Sequence, residues 1–119
     1  MARILVIDDD RHVQMALRDV LSHFGHDVHV AVDGREGLAR YRECRPDLVI
    51  TDIFMPERDG LDLILDLALN NANIIAMSGG GNIDCSDYLD DAIEFGARRS
   101  LRKPFTVNAL VEAVNELIA

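Results

Sequence analysis

The sequence predicts a parallel α/β domain, one sheet with helices on both faces. Two observations carry this. Five short apolar runs alternate with five stretches whose apolar residues recur at helical spacing, a β-α unit repeated five times. Right-handed crossovers then restrict the topology, and ligands of such sheets sit where the winding reverses, at the carboxyl ends of the strands.

Each element follows from its residues. Ile4–Ile7 is a β-branched-rich run, read as a buried strand. From Val13, apolar residues recur at Ala16, Leu17, Val20, Leu21 and Phe24, one helical stripe, and Gly25 stops it. Val28–Val32 is a second strand. After the Asp33-Gly34 turn a helix runs to about Cys44, before Pro46 forbids continuation. Leu48–Thr51 is the third strand, followed by a loop with Pro56 and Asp59-Gly60. Leu61–Leu69 is a leucine-rich helix and Ile74–Met77 the fourth strand. Ser78-Gly79-Gly80-Gly81 reads as a loop, Asp84–Phe95 as a helix stopped by Gly96, and Ala97–Leu101 as a weaker fifth strand. Val107, Leu110, Val111, Val114, Leu117 and Ile118 form the stripe of a last helix.

Composition narrows the function. A chain of 119 residues suits one domain over 1–119, and 49% apolar residues suffice for its core. Aromatics are 5% with no Trp, so that core is aliphatic. The formal net charge of −9 argues against nucleic-acid binding, which needs Lys and Arg to displace counterions, and against anionic membranes. Cys44 and Cys85 lie far apart, which excludes a disulfide scaffold or CxxC metal site and points to reduced thiols. No apolar run reaches the roughly 18 residues of a membrane span, and no signal peptide is present, so the expected location is cytoplasmic.

The strand ends carry the chemistry. They bring Asp8-Asp9-Asp10, Asp52, Ser78 and Lys103 to one edge. Clustered carboxylates repel unless a proton or cation neutralises them. Oxygen-only ligands suit Mg²⁺. A Mg²⁺ ion, a lysine and a hydroxyl clamp a phosphoryl group, and an aspartate in that clamp can form an aspartyl phosphate.

The ordered set Ile4-Leu5-Val6-Ile7-Asp8-Asp9, Asp33-Gly34, Pro46-Asp47-Leu48-Val49-Ile50-Thr51-Asp52, Met55-Pro56, Asp59-Gly60, Ser78, Gly96-Ala97 and Lys103-Pro104-Phe105 resembles the receiver domains of two-component response regulators. The resemblance covers nearly the whole chain. It implies the doubly wound, flavodoxin-like sheet with strand order 2-1-3-4-5 and five flanking helices. It implies Asp52 as phosphoacceptor and Mg²⁺ held by Asp9, Asp52 and the backbone carbonyl of Phe54, with Asp8 helping through water. Lys103 would pair with the acceptor carboxylate and then the phosphoryl group, and Ser78 would donate to a phosphoryl oxygen. The Lys103-Pro104 bond resembles the family's cis peptide.

Plainer roles compete. Asp10 reads as a helix N-cap, and Asp59-Gly60 as a turn. His23, His26 and His29 straddle a helix end, a turn and a strand, so zinc ligation gives way to a helix-dipole role, and His12 reads as a surface residue. Asp84, Asp87, Asp90, Asp91 and Glu94 read as a solvated face, with a docking surface for a basic partner as the alternative.

Two departures from the family pattern stand out. The aromatic three residues before the lysine is replaced by Ser100, so no ring is available to rotate inward on activation. The Gly79-Gly80-Gly81 run predicts a loop that closes when Ser78 is recruited. Phe54 beside the acceptor predicts slow hydrolysis of the phosphorylated form.

The function expected is a signalling switch. A histidine kinase or phosphotransfer protein donates the phosphoryl group, and a surface of helix 4, strand 5 and helix 5 changes its interactions with a downstream protein or a second copy. Ending at Ala119, such a chain would act by binding partners or be a receiver excised from a longer protein. No separate substrate turnover is expected. The rivals are a Mg²⁺-dependent phosphohydrolase of the haloacid dehalogenase type, with Asp8 as nucleophile, and a binding module that is never phosphorylated.

Overall fold

Strands with apolar residues on both sides must lie between two helical layers, and this chain builds such a sandwich. The computed structural model describes residues 2–53, 60–79 and 86–118, with backbone alone at 60, 79 and 86–88. The elements run β1 (Arg3–Ile7), α1 (Arg11–His23), β2 (Asp27–Ala31), α2 (Gly34–Cys44), β3 (Leu48–Asp52), α3 (Gly60–Leu69), β4 (Ile74–Gly79), α4 (Ser86–Phe95), β5 (Arg99–Lys103) and α5 (Val107–Ile118). All strand pairs are parallel, in the order β2-β1-β3-β4-β5.

The two-residue period of the strands sorts the core into two halves. Ile4, Val6, Leu48, Ile50, Ile75, Met77 and Leu101 face α1 and α5, where Leu17, Leu21, Leu110 and Val114 meet them. Leu5, Ile7, Val49, Ile74 and Ala76 face the opposite layer, which supplies Leu63, Ile64 and Leu67 from α3 and Leu89 and Ala92 from α4. Burying a Leu or Ile side chain fully is worth about 1.5–3 kcal/mol, so β1 and β3 anchor the fold.

The helix ends match their chemistry. Asp10 caps α1 by accepting from the His12 N–H at 2.9 Å, and Asp33 caps α2 by accepting from Glu36 N–H at 2.8 Å. Gly25, just after α1, has φ +88°, a conformation that glycine adopts without penalty.

Boundaries differ from expectation in places. α1 starts at Arg11, two residues before the apolar stripe begins at Val13, as the Asp10 cap requires. β2 is Asp27–Ala31, one residue earlier than predicted, in register with Arg3–Ile7. β4 continues to Gly79, where Gly79 lies opposite Lys103. The described part of α4 starts at Ser86; the predicted start at Asp84, with Cys85, lies outside the described residues.

The fifth strand needs the largest correction. It spans Arg99–Lys103, not Ala97–Leu101. The Gly96 and Ala97 N–H groups still donate to Ala92 at the end of α4, and strand pairing begins with Arg99 opposite Ile75. The later start carries the ladder up to Lys103.

Candidate functional site

Register assembles the site. β1 and β3 pair Ile7 with Thr51, so Asp8 and Asp52 follow at the same level. Alternation from Val6, Ile50 and Leu101 then gives Asp8, Asp52 and Lys103 the same parity, toward the α1/α5 side.

The contacts bear this out. Asp8 is fully buried. One of its carboxylate oxygens accepts from the Asp10 backbone N–H at 2.9 Å and the other from Lys103 Nζ at 2.8 Å. Lys103 Nζ also lies 3.7 Å from Asp52 Oδ2. The lysine thus bridges both carboxylates, ion-paired with Asp52 as the resemblance implies and hydrogen-bonded to Asp8. A charge as buried as that of Asp8 needs the closer counter-ion. Burial by itself would lower the Lys103 pKa, but the hydrogen bond to Asp8 and the charges of Asp52, Asp8 and Asp10 outweigh it and raise it. The ammonium is therefore charged at neutral pH.

Asp9 completes the acidic set. Carboxylate oxygens of Asp8, Asp9 and Asp52 lie within 4.8 Å of one another, with Asp9 at the exposed mouth. Three carboxylates face one ammonium, which leaves an excess of negative charge. Hard oxygen donors in that number fit a small divalent cation that keeps part of its water shell. Among the described residues no other group of His, Cys, Asp and Glu has this arrangement, so His23, His26 and His29 form no metal site. His26 instead accepts the Ala2 N–H on Nδ1 at 3.1 Å, and His29 pairs with Asp27 at 3.2 Å. His12 is exposed, as expected.

Ser78 lies on β4, one residue beyond Met77, the register partner of Asp52. It is fully buried, and its Oγ has no hydrogen-bond partner among the described residues. A buried hydroxyl without a partner is costly unless a ligand completes it. Phe54, predicted to offer its carbonyl, lies outside the described residues, as do Met55, Pro56, Asp59, Gly80, Gly81 and Asp84. The side chain of Asp87 is likewise outside the description, while Asp90, Asp91 and Glu94 are exposed on α4. Ser100, in place of the family aromatic, is half-buried on β5. The Lys103-Pro104 peptide is cis.

One buried residue at the site escaped the sequence reading. Gln14 belongs to the inward stripe of α1 with Leu17 and Leu21. A polar residue three positions before the first of two core leucines was the available signal.

Known proteins resemble the whole chain. A family model described as the response regulator receiver domain matches residues 4–115. The chemotaxis protein CheY of Thermotoga maritima is 36% identical over 118 residues, covering 97% of this chain and 96% of that protein. Response regulator MprA of Mycolicibacterium vanbaalenii is 35% identical over 116 residues, which are 98% of this chain and 50% of MprA. Among solved structures, a response regulator receiver domain protein from Clostridium thermocellum has a TM-score of 0.90 at 33% identity, covering 99% of this chain and 94% of that one.

Proposed function

The chain belongs to the response regulator receiver family, and on that premise we propose that it takes up a phosphoryl group on Asp52. The observation that carries this reading is the convergence of Asp8, Asp9 and Asp52 with the Lys103 ammonium bridging two of them. Asp9, Asp52 and the Phe54 carbonyl, with Asp8 helping through water, would hold a Mg²⁺ ion, which would supply charge neutralisation for an incoming phosphoryl group.

The chain's own residues do the rest. An Asp52 carboxylate oxygen attacks phosphorus. The bond from phosphorus to the donor nitrogen of a phosphohistidine breaks, and its electron pair leaves with the imidazole. Lys103 keeps its charge and sits within reach of the new phosphoryl oxygens. The Ser78 hydroxyl, which has no partner among the described residues, donates to one of them.

The donor is a histidine kinase or phosphotransfer protein, and the readout is the α4–β5–α5 surface toward a downstream protein or a second copy. With Ser100 in place of an aromatic, no ring at that position of β5 is available to rotate. The chain works as one receiver domain over residues 1–119, in the cytoplasm, without turnover of a separate substrate. Among the described residues no helix is long and apolar enough to cross a membrane. The hydrolase alternative has no support among the comparisons.

Intact-protein mass after incubation with Mg²⁺ and acetyl phosphate tests the proposal. One phosphoryl adduct is expected on the wild type and none on Asp52→Asn. Steady phosphate release that survives Asp52→Asn but not Asp8→Asn would refute it in favour of the hydrolase.

A further inference from the structure

Gln14 is 6% exposed, a polar side chain inside an otherwise apolar stripe. Burying a primary amide is unfavourable unless its hydrogens are matched. Here Nε2 donates to the Asp8 carbonyl at 2.5 Å and to the Ala31 carbonyl at 3.0 Å. Both partners are acceptors only, so the amide nitrogen is the group that must face them. The Ala31 carbonyl also accepts the Asp8 N–H at 3.0 Å, and the Gln14 N–H donates to the Asp10 carbonyl at 3.1 Å. One residue of α1 therefore grips the chain at Asp8 and Asp10 and ties it to the end of β2. Asp9 lies between the two grips.

We propose that Gln14 is a positioning residue for the acidic crevice, setting the spacing of the Asp8 and Asp9 carboxylates through their backbone. It touches no reacting atom. The Asp8 N–H to the Ala31 carbonyl is the last bond of the β1–β2 ladder, and strand pairing ends at Ile7, so from the Asp8 carbonyl onward no strand ladder holds the backbone. The two side-chain hydrogen bonds replace the ladder there. Without them Asp8 remains tied to Lys103 but Asp9 gains freedom, and cation binding must then bear the cost of ordering it. The inference deepens the receiver reading and rests on it.

The test measures Mn²⁺ binding to the full chain by electron paramagnetic resonance, alongside the Mg²⁺ dependence of phosphorylation by acetyl phosphate. Gln14→Met keeps the volume and removes both donors. It should weaken Mn²⁺ binding about tenfold, within the range for outer-shell partners. It should raise the half-saturating Mg²⁺ concentration by a similar factor, with the rate at saturating Mg²⁺ changed much less. Gln14→Arg, which can donate to both carbonyls, should restore most of the affinity. A purely structural role would lower thermal stability in Gln14→Met and leave both metal constants unchanged, and that result overturns the proposal.

A wild-type measurement stands apart from whether the variants fold. The Gln14 side-chain amide resonances should shift with the same Mg²⁺ midpoint as the Asp8 and Asp9 backbone amides. Resonances that stay still overturn the proposal. Failure of the receiver reading shows elsewhere, as a wild type without adduct or an adduct that survives Asp52→Asn.

Discussion

At the residue scale, single side chains carry loads that their neighbours make visible. His26 accepts the Ala2 N–H on Nδ1, which requires an unprotonated nitrogen, and burial lowers its pKa. A lowered imidazole pKa means that the folded state binds fewer protons than the unfolded one. Its contribution is fully present above about pH 6.5, the ordinary imidazole value, and is lost as pH falls through the lowered one. Urea midpoints measured from pH 7.5 to 5.5 should therefore fall more for the wild type than for His26→Gln. Arg45 closes α2 in the left-handed region, with φ 45° and ψ 67°. A side chain there costs about 1 kcal/mol or more, which glycine avoids, though glycine gives the unfolded chain more freedom. Arg45→Gly should raise stability by about 0.5 kcal/mol in a denaturant titration.

At the element scale, two close approaches between elements depend on a missing Cβ. A Cβ on Gly96 would lie 2.4 Å from the Ala68 Cβ, where the end of α4 meets α3, and Gly96 also has φ +126°. Neither the short Ala68 side chain nor the backbone can yield. Gly96→Ala should cost about 3 kcal/mol or more, from overpacking and backbone strain together. A Cβ on Gly37 would lie 2.5 Å from Ile7 Cδ1, where α2 packs on β1. The nearest atom is the tip of a side chain rather than a short side chain or backbone, with Ile7 Cγ1 and Cγ2 next at 3.0 and 3.2 Å, so Gly37→Ala should cost less, about 1–3 kcal/mol, and Ile7→Val in the same chain, which removes only Cδ1, should recover part of it. Equilibrium unfolding of the three variants checks the order.

These two glycines also show what was legible. Gly96 is readable as a helix stop, because a glycine after an apolar periodic stretch has few other uses. Gly37 lies inside a helical pattern where only contact with β1 explains it. The fifth strand was misplaced by two residues for a related reason. Apolar Ala97 looks like strand, but its N–H is held by α4, and the ladder takes its register from β4.

At the whole-molecule scale, the acidic crevice opposes stability. Three carboxylates meet one ammonium within a chain of net charge −9. Removing one of them relieves repulsion, and Asp9, at the exposed mouth, is the one not tied to Lys103 by an ion pair. Asp9→Asn should raise the melting temperature in metal-free buffer by about 2–5 °C. Adding Mg²⁺ should raise that of the wild type in a concentration-dependent way, through binding to the folded state alone. The same additions should do little for Asp9→Asn beyond what NaCl of equal ionic strength does, and chelator should reverse the wild-type gain. A wild type indifferent to Mg²⁺ would contradict the site.

The alternation of apolar runs and helical stripes by itself dictated a parallel sheet with helices on both faces, because burial depends on local periodicity. The identity of the strand-end residues likewise pointed to Asp8, Asp9, Asp52, Ser78 and Lys103, since only the strand ends of such a sheet are open to a ligand. Distances were another matter. That Lys103 hydrogen-bonds Asp8 and stands farther from Asp52, that the Ser78 hydroxyl is left without a partner among the described residues, and that Gln14 grips the backbone of the acidic turn all depend on register and helix docking. Lys103 and Asp8 are 95 positions apart in the chain, and no local pattern encodes a contact of that span. It arises when five strands settle into one order and bring their ends together.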